Sequence, residues 1–438
     1  MKDLKQIARQ IFHETLAAID IPATMQRKLE RHGTRVVCDG KTVDLSDFEK
    51  LRVVVIGKAA HAMVEGLVTV LAPFVRFEGA VAAPTAPRKP VLGLKYFIAG
   101  HPIPNDESWK AAEAILALLK RCDEKTLVFF LLSGGGSALV DLPLDERQTL
   151  QDVQQFHRAL VTCGASIDEM NTVRKHLSAV KGGRLAVAAG RAAKITLAVS
   201  DVPAGKEAAL ASGPTLPDPA TMADTKRILA QYCLQEKFPP SLRRWLEDGK
   251  MPETPKAGDV AFRNANFSLL LGMDDLFHPA HRAAEAEGFV ACCDNSTDDW
   301  PVEKAAEYLV NQLEELRKIH PGQRVALIAD GEVSSPVTGD GIGGRNSAFV
   351  LSCVQKIAGK RIAVLSAGTD GMDGNSPAAG AVANGQTLEL ARKFGLDPAD
   401  ALRRSDAYTF FSRFDDAITT GPTGNNLRDL RILLADRE

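Results

Sequence analysis

The sequence of 438 residues lacks the charge excess and the long apolar runs that mark several classes of protein. Its formal net charge is -2, and no block of lysine and arginine indicates binding to nucleic acid or to an anionic membrane surface. The longest apolar stretch, Leu127–Leu132, is far shorter than the roughly 20 residues that a membrane-spanning helix needs. We therefore expect no nucleic-acid partner and no membrane partner.

The chain also lacks paired cysteines, because its seven cysteines follow no CxxC or zinc-ligand spacing. We interpret all of them as reduced thiols in a reducing compartment. The first residues have the pattern of an amphipathic helix that charges interrupt throughout, unlike a signal peptide. These features predict a cytoplasmic protein, and we expect a monomer or a homodimer.

Short apolar runs alternate along the chain with segments in which apolar residues recur at helical spacing. Most runs are apolar on both faces, which is typical of parallel strands that helices cover on each side. The alternation predicts a doubly wound α/β fold. The predicted strands are Val53–Ile56, Ala80–Ala83, Tyr96–Ala99, Leu127–Leu132, Ile195–Val199, Phe289–Cys293, Val325–Ala329, Ile362–Ser366 and Ile418–Thr420. The predicted helices are Leu4–Ile19, Glu107–Arg121, Glu146–Thr162, Ala220–Gln231, Pro301–Ile319, Asn346–Ala358 and Thr387–Phe394.

A proline-containing segment with little periodicity, at about residues 241–254, is the best candidate for a linker. It divides the chain into two predicted α/β domains, residues 1–240 and residues 255–438. We expect the first domain to be Rossmann-like with a largely parallel sheet. A cleft between two domains is a natural ligand site, so we expect the active site there.

Glycine-rich polar loops follow several of the apolar runs. Backbone amides in such loops bind anions, and in an open α/β sheet the loops lie at the carboxyl ends of strands, where ligands bind. One loop consists of Ser133, Gly134, Gly135, Gly136 and Ser137. A tight turn alone needs one glycine. Three glycines and two hydroxyls therefore predict a site for a phosphate, with the hydroxyls as donors.

Two cations lie beside such loops. Lys58 lies between a predicted strand and a predicted helix, an unfavourable place for a cation unless an anion joins it. The loop is not a Walker A motif, because Arg52 replaces a required glycine and Ala59 replaces the required serine or threonine. Arg345 begins a predicted helix, where its planar fork suits two phosphate oxygens. The alternatives are a surface lysine and a loop-capping arginine.

The segment Gly339–Gly344 matches the pattern G-x-G-x-x-G and leaves a dinucleotide open as an alternative ligand. Pro336 argues against a central strand directly before this pattern. The acid expected about 20 residues later is only loosely matched by Asp370. This pattern by itself is therefore weak support for binding of NAD(P)H.

Three aspartates follow predicted strands: Asp201, Asp370 and Asp373. Carboxylates at such positions suit Mg²⁺ or the proton of a substrate hydroxyl, whereas the alternative is that they only form turns. The densest basic patch contains Arg174 and Lys181. If the segment is helical, both lie near one face and attract an anionic substrate, although a solvated helix face is the alternative.

Together the motifs resemble the glycerate 2-kinase family, also called the MOFRL family, many of whose members carry the name hydroxypyruvate reductase. The resemblance implies ATP-dependent phosphorylation of the 2-hydroxyl of D-glycerate, with Mg²⁺ or another divalent cation. It implies two α/β domains, the second of the MOFRL type, and Lys58 and Arg345 as the main catalytic cations. It rests on colinear motifs over nearly the whole chain, which begin at Gly57, Gly100, Leu132, Asn171, Lys181, Ser200, Ala211, Gly343, Gly368 and Ala378.

The sequence departs from the family pattern at two places. The family's Gly-Gly-Arg-Asn is usually followed by one residue and then a glutamate, whereas here Ser347 and Ala348 follow. Pro377 stands where an aspartate is common before the Ala-Ala-Gly stretch. The loss of a carboxylate would alter metal or nucleotide handling, or mark a subgroup that acts on another small hydroxy acid.

The resulting hypothesis is a glycerate-type 2-kinase that binds a small-molecule substrate and a nucleotide. We expect Lys58 and Arg345 to stabilise the transferring phosphoryl group. Residues 133–137, Arg174, Lys181 and Asn346 would bind phosphate or substrate, and one of the three aspartates would act as base or metal ligand. The alternatives are an NAD(P)H-dependent hydroxypyruvate reductase and a regulator that binds a sugar phosphate.

Overall fold

The computed structural model describes residues 3–72, 76–202 and 205–437, and within these ranges the chain forms two compact units. The central unit is Ile21–Gly272. The C-terminal unit combines Met273–Glu438 with Met1–Asp20, as far as these segments are described. Both units are mixtures of helices and strands, so the predicted α/β class is confirmed.

All of the predicted helices are present, with ends that differ by a few residues. None of the helices in the described ranges combines the length and the apolarity that crossing a bilayer requires. The helices are α1 Leu4–Ala18, α2 Ile21–Lys28, α3 Ala60–Leu71, α4 Asp106–Leu119, α5 Gly136–Leu139, α6 Leu150–Val161, α7 Ile167–Leu177, α8 Arg184–Ala188, α9 Met222–Gln231, α10 Leu234–Lys237, α11 Pro240–Glu247, α12 Met273–Ala286, α13 Val302–Ile319, α14 Arg345–Val354, α15 Thr387–Lys393, α16 Pro398–Arg403 and α17 Ala407–Ser412.

All of the predicted strands are present as well, together with several that the sequence did not predict. The strands are β1 Leu29–His32, β2 Arg35–Cys38, β3 Lys41–Asp44, β4 Lys50–Ile56, β5 Glu78–Ala83, β6 Leu94–Ile98, β7 Thr126–Ser133, β8 Ala193–Val199, β9 Ala265–Leu271, β10 Phe289–Asp294, β11 Arg324–Asp330, β12 Ile362–Gly368, β13 Gly380–Asn384, β14 Ala417–Ile418 and β15 Asp429–Ala435.

The main sheet of the central unit has the strand order β6-β5-β4-β7-β8-β9, and every neighbouring pair is parallel. The order runs outward in both directions from β4 and β7, which is the order of dinucleotide-binding folds. Every residue of β7 is buried, as a strand covered by helices on both faces requires. The Rossmann-like prediction is therefore confirmed for this unit. The strands β1, β2 and β3 form a separate antiparallel sheet.

The sheet of the C-terminal unit is mixed, with the strand order β10-β11-β15-β12-β13-β14. Only the pair β10 and β11 is parallel among its neighbours. The sequence predicted neither β13 nor β15, although every residue of β15 is buried at the centre of the sheet. The pattern of apolar runs therefore identified the α/β class of this unit, but neither β13 and β15 nor the antiparallel pairing of the sheet.

The structure divides the chain at other places than the predicted linker of residues 241–254. Part of that segment is α11, whose Leu242 and Trp245 pack in one apolar cluster with Phe156 and Phe238. Beyond it, β9 pairs with β8 and completes the central sheet. At the other end of the chain, α1 packs on α12 and β12. Prolines mark local breaks in periodicity, whereas these long-range contacts set the boundaries of the units.

We predict that Phe12→Ala destabilises the C-terminal unit selectively. The Phe12 side chain is fully buried in α1, and truncation of a buried phenylalanine costs about 3–5 kcal/mol. Hydrogen exchange read by mass spectrometry should quicken in α12 and β12 and stay unchanged in β4 and β7. The matched control is His13→Ala, at the exposed residue next to Phe12, which should change the exchange rate of neither pair of elements. Faster exchange in β4 and β7 alone would contradict the assignment of α1 to the C-terminal unit.

Candidate active site

The strand order of the central sheet brings two of the predicted loops together. Lys58 follows β4, and Ser133–Ser137 begins at the end of the neighbouring β7. Ligands bind outside the carboxyl ends of strands where the strand order reverses, and this is such a place. The Lys58 amide donates to the Gly134 carbonyl at 3.0 Å, and the Ala59 amide donates to Ser133 Oγ at 3.0 Å. The two loops therefore form one structure.

Glycine is required where these loops touch. A β-carbon on Gly57, whose φ is 140°, would lie 2.0 Å from Ser133 Oγ. A β-carbon on Gly135, whose φ is 84°, would lie 3.2 Å from Lys58 Cγ and 3.1 Å from His101 Cδ2. The loop therefore packs against both side chains. His101 had been assigned no role, although it belongs to one of the motifs that carry the family resemblance.

A chain of polar contacts connects this loop with Arg174. The oxygens Ser137 Oγ and Ser212 Oγ are 2.7 Å apart, and Ser212 Oγ is 3.2 Å from Asn171 Oδ1. Arg174 Nη1 donates to the same Asn171 oxygen at 3.5 Å. The structure thus joins two residues predicted to bind the ligand, Ser137 and Arg174, through two that had been assigned no role. Their signal was their place in motifs that begin at Asn171 and at Ala211.

Lys181 lies elsewhere than predicted. The helix α7 ends at Leu177 and α8 begins at Arg184, so Arg174 and Lys181 do not share a helix face. The Lys181 side chain is buried and forms an ion pair with the buried Asp141. Burial raises the pKa of Asp141, but Lys181 and His157 outweigh this effect and hold that pKa well below its usual range. We therefore assign Lys181 to the stability of the central unit and not to the substrate.

Two other members of the basic patch also contact carboxylates. Lys175 Nζ lies 3.2 Å from Asp218 Oδ1, and His176 Nε2 lies 2.9 Å from Glu253 Oε1. Lys175 and His176 are buried, whereas Arg174 is partly exposed. The patch is therefore mainly an internal ion-pair network, and Arg174 is its member nearest to the polar chain of Ser137.

In the C-terminal unit, Arg345 is the first residue of α14 and is held by two carboxylates. Its Nε and Nη2 donate to Asp429 at 2.6 and 3.2 Å, and its Nη1 donates to Glu332 at 2.6 Å. Burial opposes the charge, but Asp429 and then Glu332 raise the pKa of Arg345 further. A guanidinium has five N–H groups, so these contacts leave two of them for a ligand.

Asp373 caps α14. The sequence predicts a different role for it, that of a base or metal ligand, and predicts a phosphate near the start of this helix. Its carboxylate accepts from the amides of Asn346 and Ser347, both at 2.9 Å, and from Ser347 Oγ at 2.6 Å. Burial raises its pKa to about 6, although these hydrogen bonds act in the opposite direction. Asn346 is buried, and its side-chain oxygen accepts from Ser366 Oγ at 2.6 Å. The Asp373 carboxylate thus occupies the position at the start of α14 where a bound anion would otherwise accept from these amides.

The other two aspartates lie at strand ends, as predicted. Asp201 follows β8, the neighbour of β7 in the central sheet. Asp370 follows β12, and its Oδ1 accepts from the Met372 amide at 3.0 Å. Within the described ranges, no group of three or more histidine, cysteine, aspartate or glutamate side chains is placed to hold a metal ion.

A second charge cluster in the C-terminal unit had not been predicted. Arg428 forms ion pairs with Asp298 and with the fully buried Asp330. Burial raises the pKa of Asp330 to about 6 in spite of the arginine. No motif in the sequence signals this cluster, because its members come from three separate segments.

Comparison with known proteins places the chain in a family. The family model described as "Domain of unknown function (DUF4147)" matches residues 7–247, and the MOFRL family model matches residues 325–429. The chain is 34% identical to D-glycerate 2-kinase of Thermotoga maritima, over 90% of this chain and 92% of that protein. It is 32% identical to glycerate 2-kinase of Pyrococcus horikoshii, over 99% and 97%. The chain belongs to the MOFRL family of glycerate 2-kinases.

A further relative has a different name, and a solved structure has a similar fold. A protein of Agrobacterium vitis with a provisional hydroxypyruvate reductase name is 36% identical, over 98% of this chain and 94% of that protein. The crystal structure of glycerate kinase from Thermotoga maritima superposes with a TM-score of 0.82 at 32% identity and covers 99% of both chains. The resemblance seen in the sequence is therefore confirmed.

The structure gives the departures from the MOFRL pattern a physical setting. Ser347 contributes its hydroxyl to the cap of α14, and Ala348 is buried in the apolar core of the C-terminal unit. Pro377 is exposed. A glutamate at position 348 would bury a carboxylate among apolar side chains, which is costly without a partner. The alanine is therefore compatible with this packing.

We predict that Asp373→Ala lowers the free energy of unfolding by about 2 kcal/mol, because it removes the cap of α14. Chemical denaturation measures the change. Asp340→Ala, at an exposed aspartate of the same unit, is the matched control and should have almost no effect. Unchanged stability together with a complete loss of catalysis would show that Asp373 acts as a base or metal ligand and would contradict the capping role.

Asp373 also predicts a pH dependence. Its pKa is higher in the folded protein than the ordinary value of 3.8, so folding takes up a proton near pH 5. Its contribution to stability therefore falls as the pH rises through about 6. We expect this contribution to be about 1 kcal/mol larger at pH ~5 than at pH ~7.5, and to be absent in Asp373→Ala. Denaturation of both proteins at the two pH values measures it, and a constant difference between them would contradict the raised pKa.

Proposed function

We propose that the protein phosphorylates the 2-hydroxyl of D-glycerate with ATP and releases 2-phosphoglycerate. The observation that carries this proposal is the joined pair of loops at the strand-order reversal, with Lys58 on one loop and Ser133–Ser137 on the other. Relatives that match nearly the whole chain are named glycerate 2-kinases. The loops offer backbone amides and a cation, which is the chemistry that phosphate binding requires.

Phosphoryl transfer depends mainly on positioning and on neutralisation of charge. In the proposed mechanism Lys58 donates to the oxygens of the transferring group, and Ser133 holds the loop that carries it. Arg345 donates through the N–H groups that Asp429 and Glu332 leave over. The two carboxylates outweigh its charge at longer range, so Arg345 acts by directed hydrogen bonds at contact distance.

Mg²⁺ is part of the proposal because it accompanies ATP in phosphoryl transfer. It usually keeps several waters and takes one or two protein carboxylates besides the phosphates. The absence of a three-ligand cluster in the described ranges fits this mode of binding. Asp201 and Asp370 are the proposed carboxylates for the metal or for the proton of the 2-hydroxyl, because each follows a strand, β8 and β12 respectively.

A hydroxypyruvate reductase is the second candidate, since the Agrobacterium vitis relative carries that name. The sequence G-x-G-x-x-G at Gly339–Gly344 lies in a long loop between β11 and α14. In a dinucleotide fold this pattern forms the tight turn directly after the first strand. That turn is occupied in the central unit by Gly57 and Lys58 instead. The geometry therefore favours the kinase.

We further propose that the enzyme acts in the cytoplasm. All seven cysteines are free thiols in the structure, including the adjacent Cys292 and Cys293. A reducing compartment preserves such thiols, and ATP is available there.

The experiment that tests the function uses the purified full chain with D-glycerate, ATP and Mg²⁺. Phosphorus NMR should identify a phosphate ester at the 2-position. A parallel assay follows NADH with hydroxypyruvate and should show no oxidation. NADH oxidation without phosphoryl transfer would replace the kinase by the reductase.

We predict that Lys58→Ala lowers kcat by about 100-fold or more, because it removes a cation from the transition state. The matched control is Lys125→Ala, at an exposed lysine that precedes β7 and so lies at the opposite end of that strand. Thermal unfolding of both variants should resemble that of the wild type. Near-normal turnover by Lys58→Ala would exclude this catalytic role.

A further inference from the structure

The polar chain that ends at Ser137 has a fixed proton direction. The Arg174 guanidinium only donates, so the Asn171 atom near its Nη1 is the amide oxygen, which only accepts. The Ser212 hydroxyl therefore gives its single proton to that oxygen, at 3.2 Å. Ser212 Oγ must then accept at its other contact. The Ser137 hydroxyl is the donor across the 2.7 Å between the two serine oxygens.

The backbone around Ser212 holds this chain in place. Ser212 is fully buried, and its φ of 59° lies in the left-handed region that non-glycine residues rarely adopt. Its carbonyl accepts from the Gly182 amide at 3.0 Å. A β-carbon on Gly136 would lie 2.6 Å from Ala211 Cβ, so the loop of Ser137 packs directly against this turn. Strained backbone of this kind concentrates at functional sites.

The direction of the chain reverses the role first expected of Ser137. Its only proton is given to Ser212, so it has none for a phosphate oxygen, whereas its oxygen retains lone pairs that accept. Ser137 is partly exposed, and in the described structure it makes no other side-chain hydrogen bond. The group that it suits in a ligand is therefore a donor, such as a hydroxyl.

We propose that Ser137 is a specificity-determining residue that accepts a hydrogen bond from the 3-hydroxyl of D-glycerate. This assignment rests on the proposed function. The 2-hydroxyl must lose its proton during transfer, and a neutral serine is too weak a base to take it. The 3-hydroxyl keeps its proton throughout the reaction and so matches an acceptor of this kind. Ser212 and Asn171 are positioning residues, since they orient the Ser137 proton away from the substrate.

The test compares D-glycerate with D-lactate, which has the same carboxylate and 2-hydroxyl but lacks the 3-hydroxyl. Calorimetric titration of the full chain without nucleotide gives the ratio of the two dissociation constants. We expect the wild type to prefer D-glycerate by about five- to tenfold, the usual worth of one neutral hydrogen bond. Ser137→Ala should reduce the ratio to about one. Ser212→Ala should reduce the ratio less than Ser137→Ala does, because the freed Ser137 hydroxyl loses its fixed orientation but can still accept from the 3-hydroxyl or donate to it.

The controls separate this role from folding and from phosphate binding. Ser46→Ala, at an exposed serine that precedes β4, should keep the wild-type ratio. Affinity for a non-hydrolysable ATP analogue should be the same in Ser137→Ala as in the wild type, which also shows that the variant is folded. A kept preference for D-glycerate in Ser137→Ala, or weaker binding of the ATP analogue alone, would overturn the assignment. A wild type that binds no D-glycerate would instead contradict the proposed function itself.

Discussion

The candidate site depends on one close contact, the approach of the loop after β4 to the end of β7. Two parallel neighbouring strands deliver their following loops to the same edge of the sheet. Only a glycine at position 57 leaves room for Ser133, whose hydroxyl then accepts from the Ala59 amide. This hydrogen bond fixes the loop in which Lys58 lies. The position of the proposed catalytic cation therefore follows from the backbone geometry of these two loops.

In the C-terminal unit, by contrast, carboxylates hold the groups that would bind an anion. The amides at the start of α14 would attract a phosphate, but the carboxylate of Asp373 already satisfies them. Arg345 beside it is bound by Asp429 and Glu332, so its guanidinium is held in one orientation. The two carboxylates weaken the attraction of Arg345 for distant anions, but they fix the direction of its remaining N–H groups. Arg345 therefore recognises a ligand by directed hydrogen bonds at contact distance. Such bonds are better suited to distinguish one anion from another than to attract anions from solution.

The sequence was sufficient to predict five of the six strands of the central parallel sheet, because the pattern of each apolar run is local. Apolar runs reveal parallel strands, and the loops that follow them contain residues of the candidate site, among them Lys58 and Ser137. It was insufficient for the C-terminal sheet, because the central strand β15 contains Arg431. A buried cation argues against a buried strand unless it is paired. In the structure Arg431 is fully buried and donates to the carbonyls of Asp330 and Gly331, contacts about 100 residues away along the chain.

The same limit explains why the roles of side chains were harder to predict than their positions. Residue type identified Ser133, Ser137 and Asp373 as hydrogen-bonding groups near strand ends, which is where they are. Whether each one donates or accepts depends on partners distant in sequence, such as Ser212 for Ser137. In the proposed direction, Ser212 accepts the hydrogen bond that Ser137 was expected to donate to a phosphate. A glycine-rich loop therefore predicts that a ligand binds. The polar residues behind the loop, such as Ser212, determine whether each hydroxyl donates to the ligand or accepts from it.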